Sequence, residues 1–104
     1  MKTNPADITT AFRAIAFICE RYHISLEDLE GHCREWRLVW PRWLAILLIK
    51  RSTPMGPCQI AHLFNRYHTA ILSALRGVEN EVQTNGRRAI EVAEVLASFQ
   101  SLRP

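Results

Sequence analysis

The stretch "PCQIAHLFNRYHTAILSALRGVENEV", Pro57 to Val82, decides the fold because its apolar rhythm breaks once, in the middle. Pro57 suits a first helical turn, and the pattern after it predicts a short helix to about Phe64. A tight turn falls near Asn65. Beyond it Ile71, Leu75, Val78 and Val82 recur at steps of four and three, the spacing that lines one face of a longer helix. Short helix, tight turn and longer helix make the outline of a helix-turn-helix over about residues 57–82.

Upstream, Ile8, Phe12, Ile15, Cys19 and Tyr22 share one helical face, and Asn4 with Pro5 supplies an N-cap and a first-turn residue. A first helix from Pro5 to about Arg21 follows. "ISLEDL" carries a Ser25-x-x-Asp28 capping box with Ile24 and Leu29 in staple positions, so a short second helix runs toward Gly31 or Cys33. "REWRLVWPRW", Arg34 to Trp43, mixes three arginines with three tryptophans and reads as a basic loop over about residues 34–42. Pro41 then opens a nearly all-apolar helix to Arg51, the expected buried centre of a bundle. "STPMGP" breaks the chain, and after "TNG" a last helix places Ala89, Val92, Ala93, Leu96 and Phe99 on one face. No alternating strand pattern appears. The fold class is all-α, one domain over residues 1–104 with about six helices.

Composition narrows the function. A chain of 104 residues, 48% hydrophobic and 22% charged, supports one modest core. The net charge of +3 favours anionic partners without making a polycation. Three widely spaced cysteines without a C-x-x-C motif argue against a disulfide framework and fit a reducing cytoplasm. "WLAILLI", Trp43 to Ile49, is far short of the ~20 residues of a membrane span, and "MKTNPADITT" has no apolar signal region. No G-x-x-x-x-G-K-[ST] loop is present, so no nucleotide is expected. Cys33, Cys58, His32 and His62 lack the paired spacing of a zinc finger, and no nucleophile stands in a recognisable catalytic motif. We therefore expect no metal, no cofactor and no enzyme.

With Ile71, Leu75, Val78 and Val82 inward, a turn of about 100° per residue puts Thr69, Ser73 and Arg76 on the opposite face. Arg66 leads into that face and His68 flanks it. Short polar side chains followed by an Arg suit a helix laid in a major groove. The same wheel puts Tyr67 toward the core, where a half-buried aromatic and a DNA contact are competing readings.

From Pro41 through "NRYHTAILSALR" the chain resembles domain IV, the C-terminal DNA-binding domain, of the bacterial replication initiator DnaA. That family commonly shows P-R-Q-x-A at the helix start and G-R-D-H-T-T-V-x-H-A as its signature, and "ISLEDLEGHCR" resembles its I/V-S-x-E-D-L-x-x-x-x-R approach. The resemblance covers about Ile8 to Val82. It implies the all-α fold of DnaA domain IV, Trp repressor-like, and sequence-specific binding of double-stranded DNA at origin sites or in their regulation. It implies a minor-groove role for Arg34, phosphate contacts by Arg42 and Lys50 with Thr53 at the same edge, and major-groove roles for Arg66, His68 and Thr69. Arg76 matches a basic position farther along, and Arg37 belongs to the same basic surface. Tyr67 stands where the signature has Asp, Ala70 replaces the second Thr, and Ser73 stands where His is usual. A tyrosine cannot copy a carboxylate's acceptance of a cytosine amine, so the preferred site is expected to differ. One copy on DNA in a cytoplasmic, nucleoid-associated setting is the family expectation.

The rival reading is a helical protein-interaction module, or a transcriptional regulator, with diverged or lost box specificity. Trp36, Trp40 and Trp43 supply its candidate partner surface, although core packing ranks first for them.

Overall fold

The computed structural model describes residues 4–102. Its helices are α1 (Pro5–Tyr22), α2 (Leu26–Glu30), α3 (Trp36–Ser52), α4 (Pro57–Leu63), α5 (His68–Thr84) and α6 (Gly86–Ser101), with no strand among the described residues. The caps expected at Asn4 and Ser25 form, and Asn85 supplies a third. Asn4 Oδ1 accepts from Ala6 N–H at 2.9 Å, Ser25 Oγ from Asp28 N–H at 3.0 Å, and Asn85 Oδ1 from Arg87 N–H at 3.1 Å. Each satisfies one donor that a helix start leaves unpaired.

The centre of the bundle is α3, against which α1, α2, α4, α5 and α6 all pack. Leu44 through Ile49 are buried without a break, which is why no polar residue stands between them and Lys50. On its two sides lie Ala11, Ala14, Ile15 and Ile18 of α1 and Ile71, Ala74 and Val78 of α5. The recognition-type hairpin is held by Phe64, 2% exposed, and by Asn65, whose φ of 52° turns the chain in the left-handed region that Asn tolerates. No described helix is long and apolar enough to cross a membrane.

The entry to α3 corrects the expected basic loop. The helix starts at Trp36 rather than Pro41, so only residues 31–35 form a connection and Pro41 lies inside the helix. Proline there removes one hydrogen bond to the carbonyl four residues back. Side-chain packing offsets that loss. Trp36 stacks on Trp40 with centroids 5.7 Å apart and meets Trp43 edge-on at 5.4 Å, so the three indoles form one stripe along α3. Trp40 is buried and Trp43 half-buried, in line with core packing, whereas Trp36 keeps 42% of its surface exposed.

The last helix closes over this stripe. Arg88 stands 4.7 Å above the Trp40 ring and 5.8 Å from that of Trp36, and its guanidinium donates to Glu91 Oε1 at 2.8 Å. Glu91 Oε2 accepts from Trp40 Nε1 at 3.0 Å and from the Tyr22 hydroxyl. One carboxylate thus ties α1, α3 and α6. An arginine at a helix start is disfavoured by the dipole, and here the ring faces and the carboxylate offset the cost.

Two measurements follow from this packing. A Cβ at Gly77 would stand 2.4 Å from the Trp43 ring, and that indole is boxed in by Trp36. Gly77→Ala should therefore lower stability by about 1–3 kcal/mol in urea unfolding despite its better helix propensity. Burial pushes the Glu91 carboxyl up, but donation from Tyr22, Trp40 and Arg88 outweighs it and leaves the group below its usual value. Burial and the bond to Glu91 push Tyr22 up to about 12 from 10.0. A depressed carboxyl stabilises the fold above its unfolded pKa and loses that share as pH falls toward the folded value; a raised phenol loses its share as pH rises from 10.0 to about 12. Thermal melts against pH should show both limbs, and Glu91→Gln should remove this carboxylate's part of the acid limb.

Candidate nucleic-acid interface

Helix α5 has an inner side and an outer one, and Leu72 is 42% exposed on the latter. Ile71, Ala74 and Val78 are buried, while His68, Thr69, Ser73 and Arg76 are exposed along the opposite side. Its first turn contains no acidic residue, and its N-cap, Tyr67, makes no side-chain cap bond. Backbone donors and the positive end of the dipole therefore stay available to an anion.

Tyr67 is the clearest departure from the helical wheel. At 85% exposed it is the most open of the large hydrophobic side chains, because the N-cap has extended backbone, φ −78° and ψ 152°, and so leaves the helical register. It borders a hollow with His32, His62, Asn65 and Arg66. His32 and His62 lie beside the α5 start, and sequence reading weighed them only as metal ligands. Their signal was weak, since His32 reaches this place through a loop more than thirty positions upstream of α5.

Two arginines hold that loop. Arg42 donates Nε to Leu29 O at 2.7 Å, one terminal nitrogen to Cys33 O at 3.3 Å and the other to Asp28 O at 3.3 Å. Arg66 donates to the carbonyls of Glu30, at 3.4 Å, and Gly31, and meets His32 Nδ1 at 3.3 Å. The carbonyls at the end of α2, which has no basic residue in its own last turn, are thereby satisfied by two cations. Burial, and for Arg42 also the neighbouring Arg66 charge, lowers both guanidinium pKa values, though both stay protonated. The Nε of Arg66 is buried without a partner among the described residues.

This geometry reassigns two expected phosphate contacts. Arg42 is only 6% exposed and has all three nitrogens engaged inside the protein, so it is a structural cation rather than a surface one. Thr53 gives its hydroxyl proton to Ile49 O at 2.8 Å and accepts from Met55 N–H at 3.2 Å, which caps the end of α3. Three other expected residues keep exposed side chains. Arg34 is exposed in the loop beside α5 with no bond to a described residue, Arg37 is exposed but paired with Glu35 at 2.8 Å, and Lys50 is exposed in a hollow shared with Leu75 and Glu79 of α5. Arg66, Tyr67, His68 and Thr69 follow one another at the start of α5, where the loop meets them through Gly31 and His32, while Lys50 stands farther along the helix.

A short helix, a left-handed turn and a longer helix with an open polar face define a helix-turn-helix protein. Residues 13–78 match the family described as the bacterial DnaA protein helix-turn-helix, and the chain belongs to that family. It is 35% identical over 69 residues to the chromosomal replication initiator protein DnaA of Desulfatibacillum aliphaticivorans, covering 66% of this chain and 15% of that one. The DnaA of Caldanaerobacter subterraneus is 27% identical over 75% of this chain and 18% of its own, and that of Acholeplasma laidlawii 28% identical over 96% and 22%. The chain thus spans less than a quarter of the length of these relatives.

Arg42→Ala should behave as a folding mutation. Removing three charge-assisted bonds and stranding their carbonyls is expected to cost about 2–3 kcal/mol in urea unfolding, and Arg42→Lys, which cannot fork to three carbonyls, should rescue little of it.

Proposed function

We propose that the chain binds double-stranded DNA in a sequence-specific way, with α5 in the major groove and Arg34 reaching the adjacent minor groove. The observation that carries this reading is the exposed row of His68, Thr69, Ser73 and Arg76 at an uncapped helix start, opposite a buried face that fixes the helix. Family membership supports it, and so does the name of the relatives, chromosomal replication initiator. The site is a DnaA-box-like element of a replication origin or of its regulation, altered where Tyr67 meets the bases.

Roles divide by chemistry. Arg37 and Lys50 supply sequence-independent attraction to phosphates, and the charge of Arg34 adds to it from the minor groove. Arg66, His68, Thr69, Ser73 and Arg76 face the groove floor and its walls, where an arginine grips guanine or phosphate and hydroxyls meet base edges. Tyr67 offers an aromatic surface to a thymine methyl where the family signature has an acid.

Fluorescence anisotropy with duplexes selected from a random pool tests the proposal. Affinity should fall steeply with salt, and Arg34→Ala should weaken all duplexes alike and reduce the magnitude of the salt slope by about 1. Thr69→Ala or His68→Ala should cost about 1–3 kcal/mol on the selected site and little on random DNA. Absence of duplex binding at low salt, or equal losses on both DNAs for every variant, contradicts it.

A further inference from the structure

The outer face of α1 remains without a partner in the fold. Phe12 is 54% exposed there, Ala16 is exposed beside it, and Leu102 after α6 is 69% exposed. A shallow apolar hollow runs between α1 and the end of α6, lined by Ala16, Phe17, Phe99 and Leu102 and bounded by Arg13 and Glu20. Both charged residues are exposed and neither pairs with another described residue, whereas Arg21 on the next flank is joined to Glu94 at 3.6 Å.

The charges are arranged with a symmetry of their own. Arg13 and Glu20 stand seven positions apart, two helical turns, and therefore on one face about 10 Å from each other along the axis. The midpoint between them falls between Ala16 and Phe17, which is also the middle of the apolar hollow. A surface with a positive end, a small apolar centre and a negative end complements a second copy of itself turned end for end.

We propose that two copies of the chain associate through α1, antiparallel, about a two-fold axis passing between Ala16 and Phe17. Arg13 of each protomer then faces the partner subunit's Glu20, and Ala16 allows close approach at the axis. A parallel pairing would oppose Arg13 to the partner's Arg13 and Glu20 to the partner's Glu20, so charge selects the antiparallel form. The area offered by one helix face and Leu102 is small, which sets the association in the weak, reversible range. Helices α1 and α5 pack on α3 rather than on each other, so the pairing leaves both α5 faces open.

Sedimentation equilibrium of the whole chain without DNA, from about 10 μM to about 1 mM, tests the pairing separately from any DNA-binding reading. The mass should rise from 12.0 kDa toward twice that value as concentration increases. Arg13→Glu alone and Glu20→Arg alone, with helical content checked by circular dichroism, should each weaken self-association by about tenfold or more. An equimolar mixture of the two variants should regain it, because both acidic positions of the Arg13→Glu chain then meet an arginine of the Glu20→Arg chain. A mass fixed at 12.0 kDa throughout, self-association indifferent to the charge reversals, or a mixture that stays dissociated would overturn the proposal.

Discussion

Arg42 keeps a full charge at 6% exposure because every nitrogen of its guanidinium finds a backbone carbonyl at or just beyond the end of α2. The dependence runs both ways. Without those carbonyls a buried cation would be untenable, and without the cation a five-residue helix would end in unsatisfied acceptors near the core. Arg66 repeats the arrangement one step outward, on Glu30 and Gly31. Because Arg66 immediately precedes Tyr67 and α5, the loop that carries Arg34 is fastened to the start of the helix that carries the polar face. The interface is thus set from behind by Arg42, which lies inside the protein, and at its edge by Arg66, which ties the loop to the start of α5.

Two aromatic contacts complete the frame. Trp43 packs where Gly77 leaves no side chain, which brings α5 close to α3 and fixes how far its outer face projects. Trp36 and Trp40 are roofed by Arg88, and Glu91 gathers Trp40, Tyr22 and Arg88 on one carboxylate. Those two residues of α6 lie beyond the 13–78 stretch matched to the family, yet they brace the helix from which the loop departs. The arginine pair at the start of α6 is half explained by this: Arg88 is a packing residue, and nothing in the structure accounts for Arg87.

Much of the fold was legible because periodicity and caps are local. The stripe of α5, the Asn4 and Ser25 caps and the turn at Asn65 all follow from residues within one or two turns of each other. The start of α3 at Trp36 is harder to see, because a proline such as Pro41 is a common helix opener. The positions of Trp36, Trp40, Trp43 and Leu47 already had helical spacing, and their mutual packing outweighs one missing hydrogen bond. Arg42 was misread for a deeper reason: an arginine beside a tryptophan and a proline gives no sign of whether carbonyls from an earlier segment will meet it. Tyr67 shows the reverse error, since a helical wheel has no meaning at an N-cap whose backbone is extended.

The central claim is that α5 presents its outer face to duplex DNA while the bracing elements stay out of contact. Amide chemical-shift mapping by NMR, with the labelled chain titrated by a selected duplex at low salt, tests it most directly. The account predicts large shifts at Tyr67, His68, Thr69, Ser73 and Arg76 and in the loop at Arg34, with small shifts through the body of α1 and at the end of α6. Shifts centred on α1 or α6, with the outer face of α5 unchanged, would contradict it.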